Sequence, residues 1–365
     1  MDPSEIPFCQ TQLVTYIGNK RKLLPFIWRG VDHVRARLGF KKIRCYDAFA
    51  GSGVVSRSLK CCASELYSND LEGYAAVLGR CYLSNRSEVE QLPLKRVYEE
   101  LKEVICRDWA PGIIAELYAP QDDENISPGE RVFYTRRNAV YLDTARRAIG
   151  RLPEYLHPYF LGPLLYAASV HTNTAGVFKG FYKNAEGLGQ FGGRHRHALD
   201  RIMADIHLQL PVFSSYECEY SVLQGDAAET ARRLPELDLA YLDPPYNQHP
   251  YGSNYFMLNL LTEYKHPERL SRVSGIPLDW KRSDYNSKDT VAAAMKELLA
   301  SLPSKYALLS YNAEGLLSRE EILSIASPDW KVGIMEQDYP TYRGSRNLNS
   351  RSLRVTEQLF ILEHR

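Results

Sequence analysis

The residues of this chain best placed to do chemistry are Asp243-Pro244-Pro245-Tyr246. Within four positions they offer a carboxylate, the Pro244 carbonyl and an aromatic ring, and proline brings no N–H to compete with the two acceptors. Two acceptors can hold the protons of an exocyclic amine while a ring stacks on the flat heterocycle that carries it. Such an amine is a poor nucleophile, because its lone pair is delocalised into the ring. Holding its protons favours a tetrahedral nitrogen, and a methyl group presented in line can then be transferred largely by positioning and electrostatics. No metal is required. Asp243 need not be a strong base, because the nitrogen becomes acidic as the new bond forms. Taken alone, the four residues could equally be a rigid proline turn with the acid as a cap.

The elements around the tetrapeptide decide between these readings. It follows the apolar run Leu237-Asp238-Leu239-Ala240-Tyr241-Leu242, which reads as a buried strand. The prolines stop that strand, so the acid stands at its carboxyl end, where ligands of open α/β sheets bind. A second strand over 43–47 runs through Asp47-Ala48-Phe49-Ala50-Gly51-Ser52-Gly53 into a helix predicted to reach about Lys60. Gly51 and Gly53 let the backbone approach a ligand closely. Position 56 is Ser, so this is not G-x-G-x-x-G, nor is it a Walker loop. A strand over 65–68 completes a βαβ unit and ends at Asp70, placed either to accept from ribose hydroxyls or to cap a helix beginning near 71–72. Asp226 ends a further strand and could accept from an adenine amine or cap the helix predicted over 227–234. Upstream, Tyr16-Ile17-Gly18-Asn19-Lys20 forms a glycine turn before a helix predicted over 20–38. Its N–H groups and lysine could meet a carboxylate, or it could be a plain surface turn.

Between 81 and 214 the strand–helix alternation stops. Helices are predicted over 94–108 and 128–150, the second opened by a capping box at Ser127-Pro128-Gly129-Glu130 and made basic by five arginines. A buried helix is predicted over 159–170. After it, Asn173, Lys183, Arg194 and Arg196 lie among glycines and aromatic rings, a mixture suited to phosphate contacts and base stacking. Residues 271–288 read as an exposed basic loop. Near the carboxyl end, strands over 332–338 and 355–363 flank a link carrying Arg343 and Arg346, either a phosphate-binding loop or a soluble tip.

Composition sets the bounds. The chain has 365 residues, 44% apolar and 24% charged, enough for a full core and two domains. A net charge of +1 gives no whole-molecule attraction for a polyanion, so any nucleic-acid contact must use local basic patches. The seven cysteines contain no C-x-x-C pair, which argues against a disulfide framework or a structural zinc and for a reducing cytoplasm. No signal peptide opens the sequence, and no apolar run approaches the ~18 residues of a membrane span.

With these motifs in order, the sequence resembles the Dam-like (α-class) DNA N6-adenine methyltransferases. Tyr16 to Lys20 is similar to their N-terminal cofactor motif, with Asn19 where a second small residue is common. Asp47 to Gly53 is similar to their glycine loop, and Asp243-Pro244-Pro245-Tyr246 to their catalytic motif. The order of cofactor turn, glycine loop, insertion and catalytic motif is the α-class order. Residues 133–139 with Asp143, and 173–178 with Lys183, resemble stretches of the family's insertion.

The resemblance implies a Rossmann-like seven-stranded α/β sheet with an inserted, mainly helical target-recognition domain. Residues 1–80 and 215–365 would then form the catalytic domain and 81–214 the insertion. It implies S-adenosyl-L-methionine as donor, with Tyr16, Gly18, Asn19, Lys20, Asp47, Ala48, Phe49, Gly51, Ser52, Gly53, Asp70 and Asp226 around it. It also implies a flipped adenine in double-stranded DNA, a restriction–modification setting with a cognate endonuclease, and a monomer or weak dimer in a prokaryotic or phage-infected cytoplasm. The competing reading is a ribosomal-RNA adenine N6-methyltransferase, since some of those share Asp-Pro-Pro-Tyr and an inserted helical subdomain. Asp at position 243, the long insertion and the arginine loop favour DNA. A third reading is a silent nucleic-acid-binding module, against which the intact glycine loop and tetrapeptide argue.

Overall fold

The structure, a computed structural model, describes residues 6–196, 198–340 and 354–365. Arg343 and Arg346 therefore lie outside the described residues. Seven strands form one sheet in the order β3-β2-β1-β4-β5-β7-β6. They are β1 (Ile43–Asp47), β2 (Ala63–Asp70), β3 (Glu219–Gln224), β4 (Leu237–Leu242), β5 (Ser304–Asn312), β6 (Trp330–Pro340) and β7 (Arg354–His364). The first five run parallel, and β7 lies antiparallel between β5 and β6. The central strand β4 is buried at every position, as its continuous apolar run requires of a strand covered on both faces. The strand order reverses between β1 and β4, which opens a crevice at their carboxyl ends.

Helices cover both faces. Leu24–Arg37 and Gly73–Tyr82 contribute to the core on one side, and Val291–Ser301 and Arg319–Ala326 to that on the other. Between β2 and β3 the regular elements are helices joined by long loops, with Leu94–Arg107, Arg136–Gly150 and His157–Val170 the longest. Their apolar residues (Leu101, Leu142 and Leu164 among them) share one continuous core with the sheet residues Leu66, Leu239 and Leu308. No helix among the described residues is long and apolar enough to cross a membrane.

The helix predicted over 227–234 ends at Ala231, and two other boundaries differ from expectation for reasons visible in the chain. The helix predicted over 20–38 is a 3-10 turn, Lys20–Leu23, followed by an α-helix, Leu24–Arg37. Pro25 stands in the first turn of that helix and has no N–H to bond back into the preceding turn, so the two segments remain distinct. The helix predicted over 128–150 begins at Arg136, with Thr135 as its N-cap. Glu130 instead uses its carboxylate to accept from the N–H groups of Gln121 and Ser127, and Gly129 takes a left-handed φ of 92°. The 127–130 segment is thus a braced loop. The arginines of the helix are structural as well. Arg136 donates to the Ala115 carbonyl, Arg146 to the carbonyls of Leu261 and Thr262, Arg147 to those of Ala110 and Pro111, and Arg137 pairs with Asp205.

Candidate active site

Four strand ends meet in one cleft. Beyond β1, the Ala48 N–H bonds to the Tyr241 carbonyl of β4 at 3.0 Å, which draws the glycine loop alongside Asp243. The Asn69 side chain, buried at the end of β2, donates to the carbonyls of Ala48 at 3.2 Å and Gly225 at 3.1 Å. It thereby stitches the ends of β1, β2 and β3 together. Asp70 accepts from the Gly51 N–H at 2.7 Å on one oxygen and from the Glu72 N–H at 2.9 Å on the other. Gly51 (φ 50°) and Gly53 (φ 78°) both take the left-handed conformation, and a Cβ on Gly51 would come within 3.0 Å of the Tyr16 ring. Only glycine provides that turn and that approach together.

The N-terminal turn closes the cleft from the other side. Tyr16, Tyr251 and Tyr255 form a cluster of near-parallel rings, with Tyr16 5.0 Å from Tyr251 and 4.4 Å from Tyr255 between centroids, and the Tyr16 hydroxyl lies 2.9 Å from that of Tyr74. Gly18 has a φ of 76°, and a Cβ there would meet the Tyr251 hydroxyl at 3.0 Å. The Asn19 side chain accepts from the Arg21 N–H and so caps the 3-10 turn. The turn delivers Lys20 into the interior, where its Nζ lies 3.0 Å from Asp243 Oδ1 and 2.8 Å from Glu357 Oε1 on β7.

The cleft encloses about 1080 Å³ of space, part of it open to solvent. Of the sequence-predicted residues, Tyr16, Gly18, Asn19, Lys20, Ala48, Phe49, Gly51, Ser52, Asp70, Asp226, Asp243 and Pro245 line it. Asp47, Gly53, Pro244 and Tyr246 stand outside its lining. Asp47 is fully buried and accepts from the Ser56 hydroxyl at 2.5 Å, so it braces the glycine loop from beneath. Tyr246 packs its ring 5.4 Å from Lys20 Nζ. Asp226 caps the short helix Ala227–Ala231 through Oδ1, which accepts from two N–H groups, and also faces the cleft.

Burial dominates the electrostatics. It pushes the Asp243 carboxyl up to about 6, against the lowering effect of Lys20, while Glu357 adds to the rise. It raises Asp47 to about 7, opposed by the Ser56 hydrogen bond, and Glu72 to about 7, opposed by a bond from Asn259. Asp70 is raised by burial too, with its backbone N–H partners working against the shift. Burial opposes the charge on Lys20, but Asp243 and Glu357 outweigh it and hold the ammonium protonated well above its ordinary range.

Several lining residues escape sequence reasoning. Residues 281–286, in the segment expected to be an exposed loop, form one wall of the cleft. Tyr285 is buried and meets Phe49 edge-on at 5.1 Å, and Asn286 donates to the Asn247 carbonyl at 2.7 Å. A ring and two cations in one polar stretch were the available signal. Glu72 and Tyr251 were also missed.

The basic loop divides in two. Lys183, Arg194 and Arg196 are exposed. Asn173, expected at a nucleic acid, is fully buried: its amide donates to the carbonyls of Val132 and Gln190 and accepts from the Gly192 N–H. It folds the loop rather than presenting a side chain. The same loop docks beside the cleft, with the Phe178 N–H bonded to the Asn254 carbonyl at 2.7 Å.

An open sheet with a glycine loop and an acidic strand end facing each other across the point where strand order reverses defines a ligand-binding α/β enzyme. The particular family follows from comparison with known proteins: residues 16–325 match the D12 class N6 adenine-specific DNA methyltransferases, and the chain belongs to that family. It is 28% identical over 358 residues to the type II methyltransferase M.NlaIII of Neisseria lactamica, covering 96% of this chain and 99% of that protein. It is 27% identical over 339 residues to the type II methyltransferase M.CviAII of Paramecium bursaria Chlorella virus 1, covering 90% and 93%. It is 29% identical over 366 residues to the modification methylase StsI of Streptococcus sanguinis, where it covers 96% of this chain but 52% of that longer protein.

Proposed function

We propose that this DNA adenine methyltransferase is of the Dam-like α-class and uses S-adenosyl-L-methionine as donor. The order of the motifs along the chain supports the subclass. The lining fits the donor: Asp70, Glu72 and Asp226 offer acceptors to hydroxyls and amines, Lys281 offers a cation, and the left-handed Gly51 lets backbone approach closely. S-adenosyl-L-methionine, when bound, supplies an electrophilic methyl group on a sulfonium. Tyr16, Gly18, Asn19, the Asp47–Gly53 loop, Asp70 and Asp226 would hold or position it.

The chain's own part in the reaction is to orient an amine. Asp243 accepts one N–H of the adenine amino group and the Pro244 carbonyl the other, while Tyr246 stacks on the base. Lys20 favours the ionised form of Asp243, which is the form that can accept. The observation that carries this reading is the Asp243 carboxylate, anchored 3.0 Å from Lys20 and sharing one cleft with the glycine loop. Reaching an amine in a duplex requires the base to be flipped from the stack.

The helical region 81–214 would read the target, with Lys183, Arg194 and Arg196 on phosphates. The names of the type II relatives support a restriction–modification setting with a cognate endonuclease. Incubating a plasmid with the protein and labelled S-adenosyl-L-methionine, then mapping the modified adenines, tests the reading. Methylation confined to one short sequence is expected. Transfer to stripped ribosomal RNA in preference to the plasmid would overturn it.

A further inference from the structure

We infer that Glu357 is a positioning residue of the transfer site: with Ser310 it fixes the Lys20 ammonium at the spot where that ammonium meets Asp243. The inference deepens the methyl-transfer reading above and rests on it. Glu357 lies on β7, the antiparallel strand far from the cleft in sequence, between Val355-Thr356 and Gln358-Leu359-Phe360. Its side chain is fully buried. One oxygen, Oε1, accepts from Lys20 Nζ at 2.8 Å and from the Ser310 hydroxyl of β5 at 2.6 Å. The other, Oε2, has no hydrogen-bond partner among the described residues.

This arrangement is costly if it serves only the fold. A buried ion pair is often no more stable than apolar side chains of similar volume, and a half-satisfied carboxylate is worse. The cost falls at the one place where the pair reaches the reactive cleft. Lys20 is 3% exposed and Asp243 17%, so the chain of contacts runs from the interior outwards and ends on the acid that faces the cavity. A flexible lysine arm held at both ends by carboxylates has one available geometry. Without Glu357, Lys20 could follow Asp243 rather than fix it.

The surrounding groups leave the triad in control of Asp243. Tyr241 on β4, Tyr246 and Tyr251 beyond it, and Tyr339 on β6 all face the centre, and burial raises all four phenols, so they stay neutral. Asp47 at the end of β1 is a nearby acid whose own ionisation Asp243 disfavours. It is unchanged in the variants below.

Glu357 and Lys20 make opposite demands on Asp243. Glu357 disfavours its ionisation and Lys20 favours it. The test is the pH dependence of kcat for methyl transfer to DNA by the full chain, measured for wild type, Glu357→Gln and Lys20→Met, with a thermal melt of each. Glu357→Gln should move the acid limb to lower pH by about one unit and lower the plateau roughly tenfold. Lys20→Met should move the acid limb to higher pH. A role confined to the fold would change melting and leave both limbs where they stand in the wild type, and that result overturns the inference. Should Glu357→Gln fail to fold, Ser310→Ala decides, because it removes one hydrogen bond to Glu357 and leaves every charge. A lower kcat with unchanged KM for donor and DNA is expected; an unchanged kcat overturns the inference. A wild type that does not methylate DNA would bring down the methyl-transfer reading as well, whereas an active wild type with unmoved limbs would bring down this inference alone.

Discussion

The Lys20 ammonium stands 3.0 Å from the Asp243 carboxylate, joining the N-terminal turn to the end of the central strand β4. This contact gives Asp243 an environment in which burial and a cation pull in opposite directions, with the acid held near 6. Because the ionised carboxylate is the form that accepts an amine proton, methyl transfer should fall as pH drops through about 6. A kcat profile flat down to pH 4.5 would contradict this account of Asp243.

The glycine loop makes a steric prediction. Gly51→Ala forces a side chain into a left-handed turn and against the Tyr16 ring at 3.0 Å. We expect at least a tenfold rise in the Kd for S-adenosyl-L-methionine, since strain at such a position costs roughly 1–3 kcal/mol. Titration calorimetry with the donor checks it, and unchanged affinity would place the ligand away from this loop.

Asp47 connects the site to stability. Burial raises its carboxyl to about 7 in the folded protein, above the ~3.9 of an unfolded chain. Between those values the native state binds more protons than the unfolded one, so this group makes stability fall as pH rises from about 4 to 7. Asp47→Asn keeps an acceptor for Ser56 and removes the ionisation. The variant should therefore melt higher than wild type at pH 8, and the gap should close towards pH 4. Thermal melts across that range test the sign.

The exposed arginines predict a salt effect. If Arg194 and Arg196 lie on phosphates, the double alanine variant should flatten the dependence of log K on log salt by about 1.8, or ~0.9 for each phosphate no longer neutralised. An unchanged slope would move the DNA to another face. Asn173→Ala should instead destabilise the loop, because its buried amide makes three hydrogen bonds there.

What was legible in the sequence lies at strand ends. Asp243 follows an apolar run that two prolines end, Asp226 follows Gly225 at the end of a short strand pattern, and Asp70 closes another, so local pattern brings them to one edge of the sheet. Of the two alternatives left open for Asp226, the helix cap is what its Oδ1 does, and the same residue lines the cleft. Partners distant in sequence were not legible. Nothing local singles out Glu357 until β7 is seen to pair with β5, which sets it beside Ser310 and Lys20. Polarity also misled at Asn173 and over 281–286, because a polar loop residue can be spent on backbone inside the protein as readily as on a ligand outside it.

Whether Asp243 orients an adenine amine for methylation is decided by one comparison. Duplex DNA is incubated with labelled S-adenosyl-L-methionine and either wild type or Asp243→Ala, then digested to nucleosides. Label is expected in N6-methyldeoxyadenosine for the wild type, with a loss of at least about a thousandfold for a variant that remains folded and still binds the donor. Equal labelling by the variant would contradict that role for Asp243.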